Sequence, residues 1–205
     1  MICTLCDGHL PKKIDPEYYE CLTCGALVKD RLLHPGQEEE KGRYLEHRND
    51  VNDPRYREFT SPIWRYVLDN FRPEDRGLDF GSGTGPVISK VLSEHGYKVE
   101  KYDPYFAPHP HLLEQKYNYI VSCEVIEHFY NPKKEFSLLK KMLKPNGQLI
   151  CMTLLFPPEK DFGSWIYRKD PTHVFIYREK TMKHITRQFN FNSCEISNGR
   201  LIIWK

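Results

Sequence analysis

The sequence predicts an α/β chain: a doubly wound, mostly parallel sheet with an antiparallel last strand, preceded by a small N-terminal zinc ribbon. Three observations predict it. Four of the seven cysteines stand as Cys3-x2-Cys6 and Cys21-x2-Cys24. Apolar strand-like runs alternate with helical ones from Gly77 onward, the pattern of a parallel sheet covered on both faces. Two final strand runs are joined by Asn198-Gly199, a hairpin dipeptide. The expected boundaries are residues 1–36 for the ribbon, 37–72 for a linker and helix, and 73–205 for the sheet domain.

In the ribbon, each CxxC lets two thiolates of one tight knuckle reach the same ion, and two knuckles supply the four soft ligands of a tetrahedral zinc. Cys3, Cys6, Cys21 and Cys24 are therefore the expected ligands of a structural zinc with no open coordination position. Two disulfides or a redox CxxC fit less well: neither pair opens the helix of a βαβ unit, and a cytoplasmic chain keeps its thiols reduced. Cys123, Cys151 and Cys194 fall in apolar runs and read as small buried hydrophobes.

The stretch from His34 to Phe59 is polar, charged and rich in turn residues, which predicts a linker re-ordering near Asp53-Pro54. From Pro54, the spacing of Phe59, Ile63, Tyr66, Val67 and Phe71 predicts a helix. Leu78 to Phe80 is the first core strand. Val87, Ile88, Val91 and Leu92 share a helical face that stops at Gly96. A second strand runs from Lys98 to Tyr102 and a third from Tyr117. Asn131-Pro132 caps a helix with Phe136, Leu139 and Leu143 inward. Pro145 to Gly147 turns that helix into a fourth strand, and a last helix spans Glu179 to Gln188 before the hairpin.

Composition bounds the function. No run of about 18 apolar residues exists and Met1-Ile2-Cys3 opens no signal segment, so neither membrane insertion nor secretion is expected and the location expected is cytoplasmic. The net charge of +2 is nearly balanced; residues 1–50 carry 7 Lys/Arg against 10 Asp/Glu, and the remainder 23 against 18. A ribbon without clustered cations has little hold on phosphates, so nucleic acid is not the favoured partner.

The chemistry centres on LDFGSGTGP, residues 78–86. Gly81, Gly83 and Gly85 form a strand-to-helix turn built for close backbone approach, but Pro86 stands where a dinucleotide fingerprint wants glycine. What remains is an acid before the turn, Asp79, bare amides within it, and an acid ending the next strand, Asp103, placed to accept hydrogen bonds from ribose hydroxyls. With YDPY and LKPNGQL, these residues resemble the class I S-adenosylmethionine-dependent methyltransferases, over about two-thirds of the chain. The ubiquinone-pathway branch is the most similar. The resemblance implies a Rossmann-like methyltransferase sheet. It also implies S-adenosylmethionine as cofactor, its methionine part on Gly81, Ser82 and Gly83, its ribose on Asp103, and its ammonium near Asp79. Cys123 and Glu124 would line the same cavity. The short stretch between Asp103 and Tyr117 stands where the family has a helix and a further strand, so the adenine-contacting acid is not assignable; Tyr105 or Phe106 could stack on the base.

CEVIEHF places Glu124, Glu127 and His128 past the carboxyl end of a central strand. On a helix start, these spacings would bring both carboxylates and the imidazole together, and His173 in DPTHVFIY could join them. Two readings stay open: a second, divalent metal on Glu124, Glu127, His128 and His173, as in metal-using branches of the family, or simple lining of the cofactor cavity. His128 and His173 are the candidate general bases. The aromatic and basic residues of 156–173 suggest an apolar or aromatic acceptor with an anionic group. The leading reading is methyl transfer to a small molecule, at oxygen. The alternatives are a metal-assisted RNA 2′-O-methyltransferase, with the ribbon as its grip, and a binding module that kept the fold without turnover. The oligomeric state is not legible.

Overall fold

The computed structural model describes residues 1–46 and 49–205. The two knuckles flank a hairpin of Tyr18–Glu20 (β1) and Leu27–Lys29 (β2). Each knuckle closes on its own backbone: the Asp7 amide donates to the Cys3 carbonyl (3.0 Å) and the Gly25 amide to the Cys21 carbonyl (2.7 Å). The segment after the hairpin is not the linker its polarity predicted. Residues Gln37–Glu46 form a helix, α1, with Glu38, Glu39 and Glu40 in the first turn, where the helix dipole favours acids. Its buried residue is Glu40, so there is no apolar period to read. Positions 47 and 48 of the expected linker lie outside the described residues.

Pro54–Asn70 (α2) follows as expected, with Asp53 accepting from the Arg55 amide at 2.9 Å as N-cap and Pro54 in the first turn. Ile63 and Val67 on its inner face pack with Val87, Ile88, Val91 and Leu92. Gly77–Phe80 (β3), Val87–Glu94 (α3) and Val99–Tyr102 (β4) form the first parallel unit. Tyr117–Cys123 (β5), Pro132–Met142 (α4) and Leu143–Met152 (β6) form the second. Between β4 and β5 stands only a 3-10 helix, Pro110–Glu114, so β4 is left as an edge strand. The expected Pro145–Gly147 turn is a bulge inside β6. Tyr117 pairs with Leu143 and Tyr119 with Gln148, while Asn146 sits at φ 63°.

The chain closes with Phe175–Ile176 (β7), Glu179–Gln188 (α5), Cys194–Ser197 (β8) and Leu201–Trp204 (β9). Among the described residues the main sheet runs β4-β3-β5-β6-β9-β8. The last strand, β9, is antiparallel to β6 and lies one place in from the edge, with β8 outside it. A smaller sheet runs β1-β2-β7, so a strand of the body completes the N-terminal hairpin. Cys3, Leu5, Leu10 and Val28 share one core cluster with Phe136, Tyr177, Met182 and Trp204. Phe156, Phe162 and Trp165 pack with Tyr18, Leu27 and Ile176. These aromatic residues build core against the hairpin, which withdraws them from the acceptor-binding role their composition suggested.

Candidate active site

The site lies at the carboxyl ends of β3, β4 and β5, where ligands of such sheets bind. A cleft of about 1050 Å³ opens there, lined from the glycine turn (Gly81, Ser82, Gly83) past Asp103, Cys123 and Glu124 to His128 and His173. Helix α1 and the start of α2 cover it through Glu40, Tyr44, Tyr56 and Phe59.

The turn is held differently from the expectation of bare amides. The Gly81 and Ser82 amides donate to the Tyr102 carbonyl (2.8 and 3.2 Å), and the Gly83 amide donates to Asp103 Oδ2 at 2.9 Å. Hydrogen bonds to the neighbouring strand end give the turn its shape, and at Gly81 and Gly83 it presents backbone without side chains to the cleft. A Cβ on Gly81, at φ 77°, would meet Val125 at 2.5 Å; one on Gly85 would meet the Asn49 carbonyl at 2.0 Å. At Gly83, with φ 61°, a Cβ would enter open space. Positive φ at 81 and 83 favours glycine for backbone reasons, and the concavity above Gly83 stays clear.

Asp103 faces this turn. Its Oδ1 accepts from the Tyr105 and Phe106 amides (2.8 and 3.0 Å), its Oδ2 from Gly83. Among the described residues, three of the roughly four lone-pair sites of a carboxylate are thus filled, and one is left on Oδ2. Asp79 is buried beneath the turn, outside the cleft lining, and accepts from Ser89 Oγ at 2.7 Å. Burial lifts its carboxyl to about 6. In this position it braces β3 on α3.

The second constellation is also rearranged. Ile126–His128 is a 3-10 turn, not a helix start, and Glu124 enters it at φ 53°. Glu124 consequently points to Arg200 (3.6 Å), and the residues whose ligand atoms lie within 4.8 Å of one another are Glu127, His128 and His173. Glu127 is fully buried; its Oε1 accepts from the Tyr167 hydroxyl, and its Oε2 has no partner among the described residues. Burial, then the charge of Glu124, pushes the Glu127 carboxyl up to about 8. His128 Nδ1 donates to the Thr172 carbonyl at 2.9 Å and His173 Nδ1 to the Tyr167 carbonyl at 2.6 Å. A carbonyl only accepts, so when neutral each ring carries its proton on Nδ1, which leaves His173 Nε2 turned to act as a base or ligand. Burial also lowers the His173 pKa below the ordinary value, which keeps that ring neutral.

Cys3, Cys6, Cys21 and Cys24 come together as the spacing predicted, again within 4.8 Å. Hydrogen bonding to the Cys21 sulfur, with burial, pushes the Cys3 thiol up to about 12. Sulfurs crowded in this way fit a cation among them.

Glu40 escaped the sequence reading. Tyr44 donates to its Oε1 (2.7 Å), and Tyr105 and Tyr130 to its Oε2 (2.9 and 3.4 Å). It stands in an acidic run on a polar helix, where nothing marks one glutamate as buried. Tyr130 and Lys134, also on the cleft wall, carried no signal either.

A family profile described as "Methyltransferase domain" matches residues 44–196. None of the curated proteins compared matches the chain. Among solved structures, human N-acetylserotonin methyltransferase in complex with S-adenosylmethionine aligns with TM-score 0.56 at 13% identity, over 80% of this chain and 56% of that one. The Synechocystis magnesium protoporphyrin IX methyltransferase with bound S-adenosylhomocysteine aligns with TM-score 0.54 at 15% identity, over 82% and 93%. A Burkholderia thailandensis O-methyltransferase family protein aligns with TM-score 0.55 at 12% identity, over 85% and 64%. The chain spans about half the length of the human enzyme. At these identities the likeness is one of fold. The profile covers most of the chain, and on that match the chain belongs to the methyltransferase-domain family.

Proposed function

We propose that this chain transfers a methyl group from S-adenosylmethionine to a small-molecule acceptor, at oxygen. The observation that carries the reading is the Gly83–Asp103 contact at the head of a cleft that continues to His128 and His173. The residues fit the cofactor: the space above Gly83 is clear, and Asp103 retains an acceptor site beside it. When bound, the cofactor would supply a methyl group activated on a sulfonium, the O–CH3 bond to the acceptor forming in line as the CH3–S bond breaks and the neutral thioether departs.

The chain's own work is alignment, exclusion of water and removal of a proton. Helix α1 covers the cleft through Glu40 and Tyr44. His173, neutral through burial and fixed at Nδ1, offers Nε2 to an acceptor hydroxyl, and His128 is held in the same way. A base presented like this suits an oxygen acceptor. Among the described residues the cleft lining carries Glu40, Asp103, Glu124, Glu135 and Asp170 against Lys134, which supports a small molecule over an RNA strand.

Two metals belong to the proposal. The four N-terminal cysteines would hold a structural zinc. In an alternative to the free imidazole base, Glu127, His128 and His173 would hold a divalent ion of borderline hardness through the same Nε2 atoms, and the ion would take over the lowering of the hydroxyl's pKa; the Glu127 oxygen with no partner among the described residues fits that role, and Glu124, turned to Arg200, does not join it. Calorimetry with S-adenosylmethionine tests the central claim. The parent chain should bind it and Gly83→Arg, which fills the open concavity, should not. Equal heats from both would refute the placement.

A further inference from the structure

The N-terminal unit is built into the wall that carries His173. Strand β2 pairs with β7, Leu27 opposite Ile176 and Val28 opposite Phe175, and the Lys29 amide continues the ladder to the Val174 carbonyl at 2.9 Å. The next carbonyl, that of His173 itself, accepts from the Tyr18 hydroxyl at 2.6 Å. Lys29 Nζ, on a side chain only 4% exposed, donates to the Pro171 carbonyl at 2.8 Å. Arg168 pairs with Asp15 (2.8 Å) and Glu17 (2.9 Å). Residues 168, 171 and 173–176 are thus bonded to or paired with the hairpin or the turn before it. From the other side, the Val174 amide donates to the Glu127 carbonyl at 3.0 Å.

None of these bonds reaches the cofactor half of the cleft. Gly81, Ser82, Gly83 and Asp103 are tied to one another and to Tyr102. The hairpin thus bonds only the His173 half, while α1 touches both halves, through Arg43 on Asp170 and Glu40 on Tyr105. Tyr18 is fully buried, and burial holds its phenol well above the ordinary tyrosine range, so it stays a donor. A buried carbonyl deprived of such a donor costs free energy and seeks another arrangement.

We propose that the N-terminal unit sets the acceptor side of the cleft, with Tyr18 and Lys29 as positioning residues that hold the His173 segment in place. This rests on the reading of the cleft as a methyl-transfer site. It gives the cysteine-bearing unit a role in methyl transfer other than gripping a polymer: it is the mould for one wall of the catalytic cleft.

The test uses the full chain, labelled with nitrogen-15, and two conservative variants, Tyr18→Phe and Lys29→Met. Long-range proton–nitrogen spectra report each histidine ring, with His173 assigned by its loss in His173→Gln. Both variants should move or split the His173 signals and leave those of His109 and His111 in place, while affinity for S-adenosylhomocysteine stays within about twofold of the parent. His173 signals that stay put in the folded variants overturn the proposal. So does a fall in S-adenosylhomocysteine affinity that parallels the spectral change, because the unit would then support the fold at large. If Tyr18→Phe does not fold, Lys29→Met decides by the same criteria. Should the parent chain fail to bind S-adenosylhomocysteine, the methyl-transfer reading falls, and the His173 spectra still judge the positioning.

Discussion

The Asp103 carboxylate accepts the Gly83 amide at 2.9 Å, tying the end of one parallel strand to the turn that follows its neighbour. The same side chain orders the next loop through the Tyr105 and Phe106 amides. Asp103 is thus both a ligand candidate and the clasp of the turn on which the ligand would lie. In Asp103→Asn one oxygen becomes an N–H group, which would face an amide donor. Cofactor affinity should fall by at least about tenfold, roughly 1.4 kcal/mol, and the melting midpoint should drop. Calorimetry and a thermal melt check both. A melt that drops with affinity intact would leave Asp103 only the clasp.

Asp79 offers a prediction on pH. Its folded pKa of about 6 lies above the ordinary 3.8, because burial disfavours the charge. Between those values the folded chain binds the proton more tightly than the unfolded one. The group's contribution to stability is full below the lower value and is lost as pH rises through the upper one. Asp79→Asn keeps an acceptor for Ser89 and removes the charge. Its stability advantage over the parent should grow from near zero at about pH 4 to roughly 1–3 kcal/mol at about pH 7. Urea unfolding across that range measures the difference. A constant difference would mean that Asp79 does not titrate in this window.

The cysteine cluster predicts one zinc per chain by native mass spectrometry, absent in Cys21→Ser. Chelation should lower the melting midpoint by several degrees, since about 1 kcal/mol shifts a chain of this size by roughly 2–4 °C. The loss should be smaller than for an isolated zinc finger. Here Cys3, Leu5, Leu10 and Val28 also pack into the main core. No response to chelation would remove the metal from the account.

That packing marks where the sequence stopped being legible. Local patterns predicted the alternating strands and helices, the helix start at Pro54, the Asn131 cap and the gathering of four cysteines, because caps, periods and CxxC spacing are short-range signals. The strand Phe175–Ile176 completing the N-terminal sheet was not legible, since two residues carry no period and their partners lie far off in the chain. The separation of Glu124 from Glu127 was hidden for a related reason. A helix start would have aligned them, and only the positive φ at Glu124 with the 3-10 turn turns one acid toward Arg200 and the other inward. Bare amides in the glycine turn were inferred from composition, whereas hydrogen bonds to Tyr102 and Asp103 depend on the neighbouring strand.

Glu40 gives the last prediction, on how the cleft is covered. Its carboxylate accepts from Tyr44, Tyr105 and Tyr130, which come from α1, the loop after β4 and the loop before α4. Burial, with the hydrogen bond to Glu40, raises the Tyr105 hydroxyl to about 12, so it remains a donor at neutral pH. In Glu40→Ala the Tyr44 and Tyr105 hydroxyls lose their acceptor, while Tyr130 keeps the Pro35 carbonyl at 3.0 Å, at a cost of about 1–3 kcal/mol for those that water does not reach. Among the described residues, the other polar tie of the helix to the body is Arg43 on Asp170 at 3.1 Å, half-exposed and worth roughly 0–1 kcal/mol. Amide exchange in Gln37–Glu46 should therefore quicken by about tenfold or more while Val87–Glu94 is unchanged. Glu40→Gln, which keeps one acceptor oxygen, should fall between. Unchanged exchange in the α1 segment of Glu40→Ala would show that the helix is held by something other than this carboxylate, and the tyrosine cluster would then be wall and not latch.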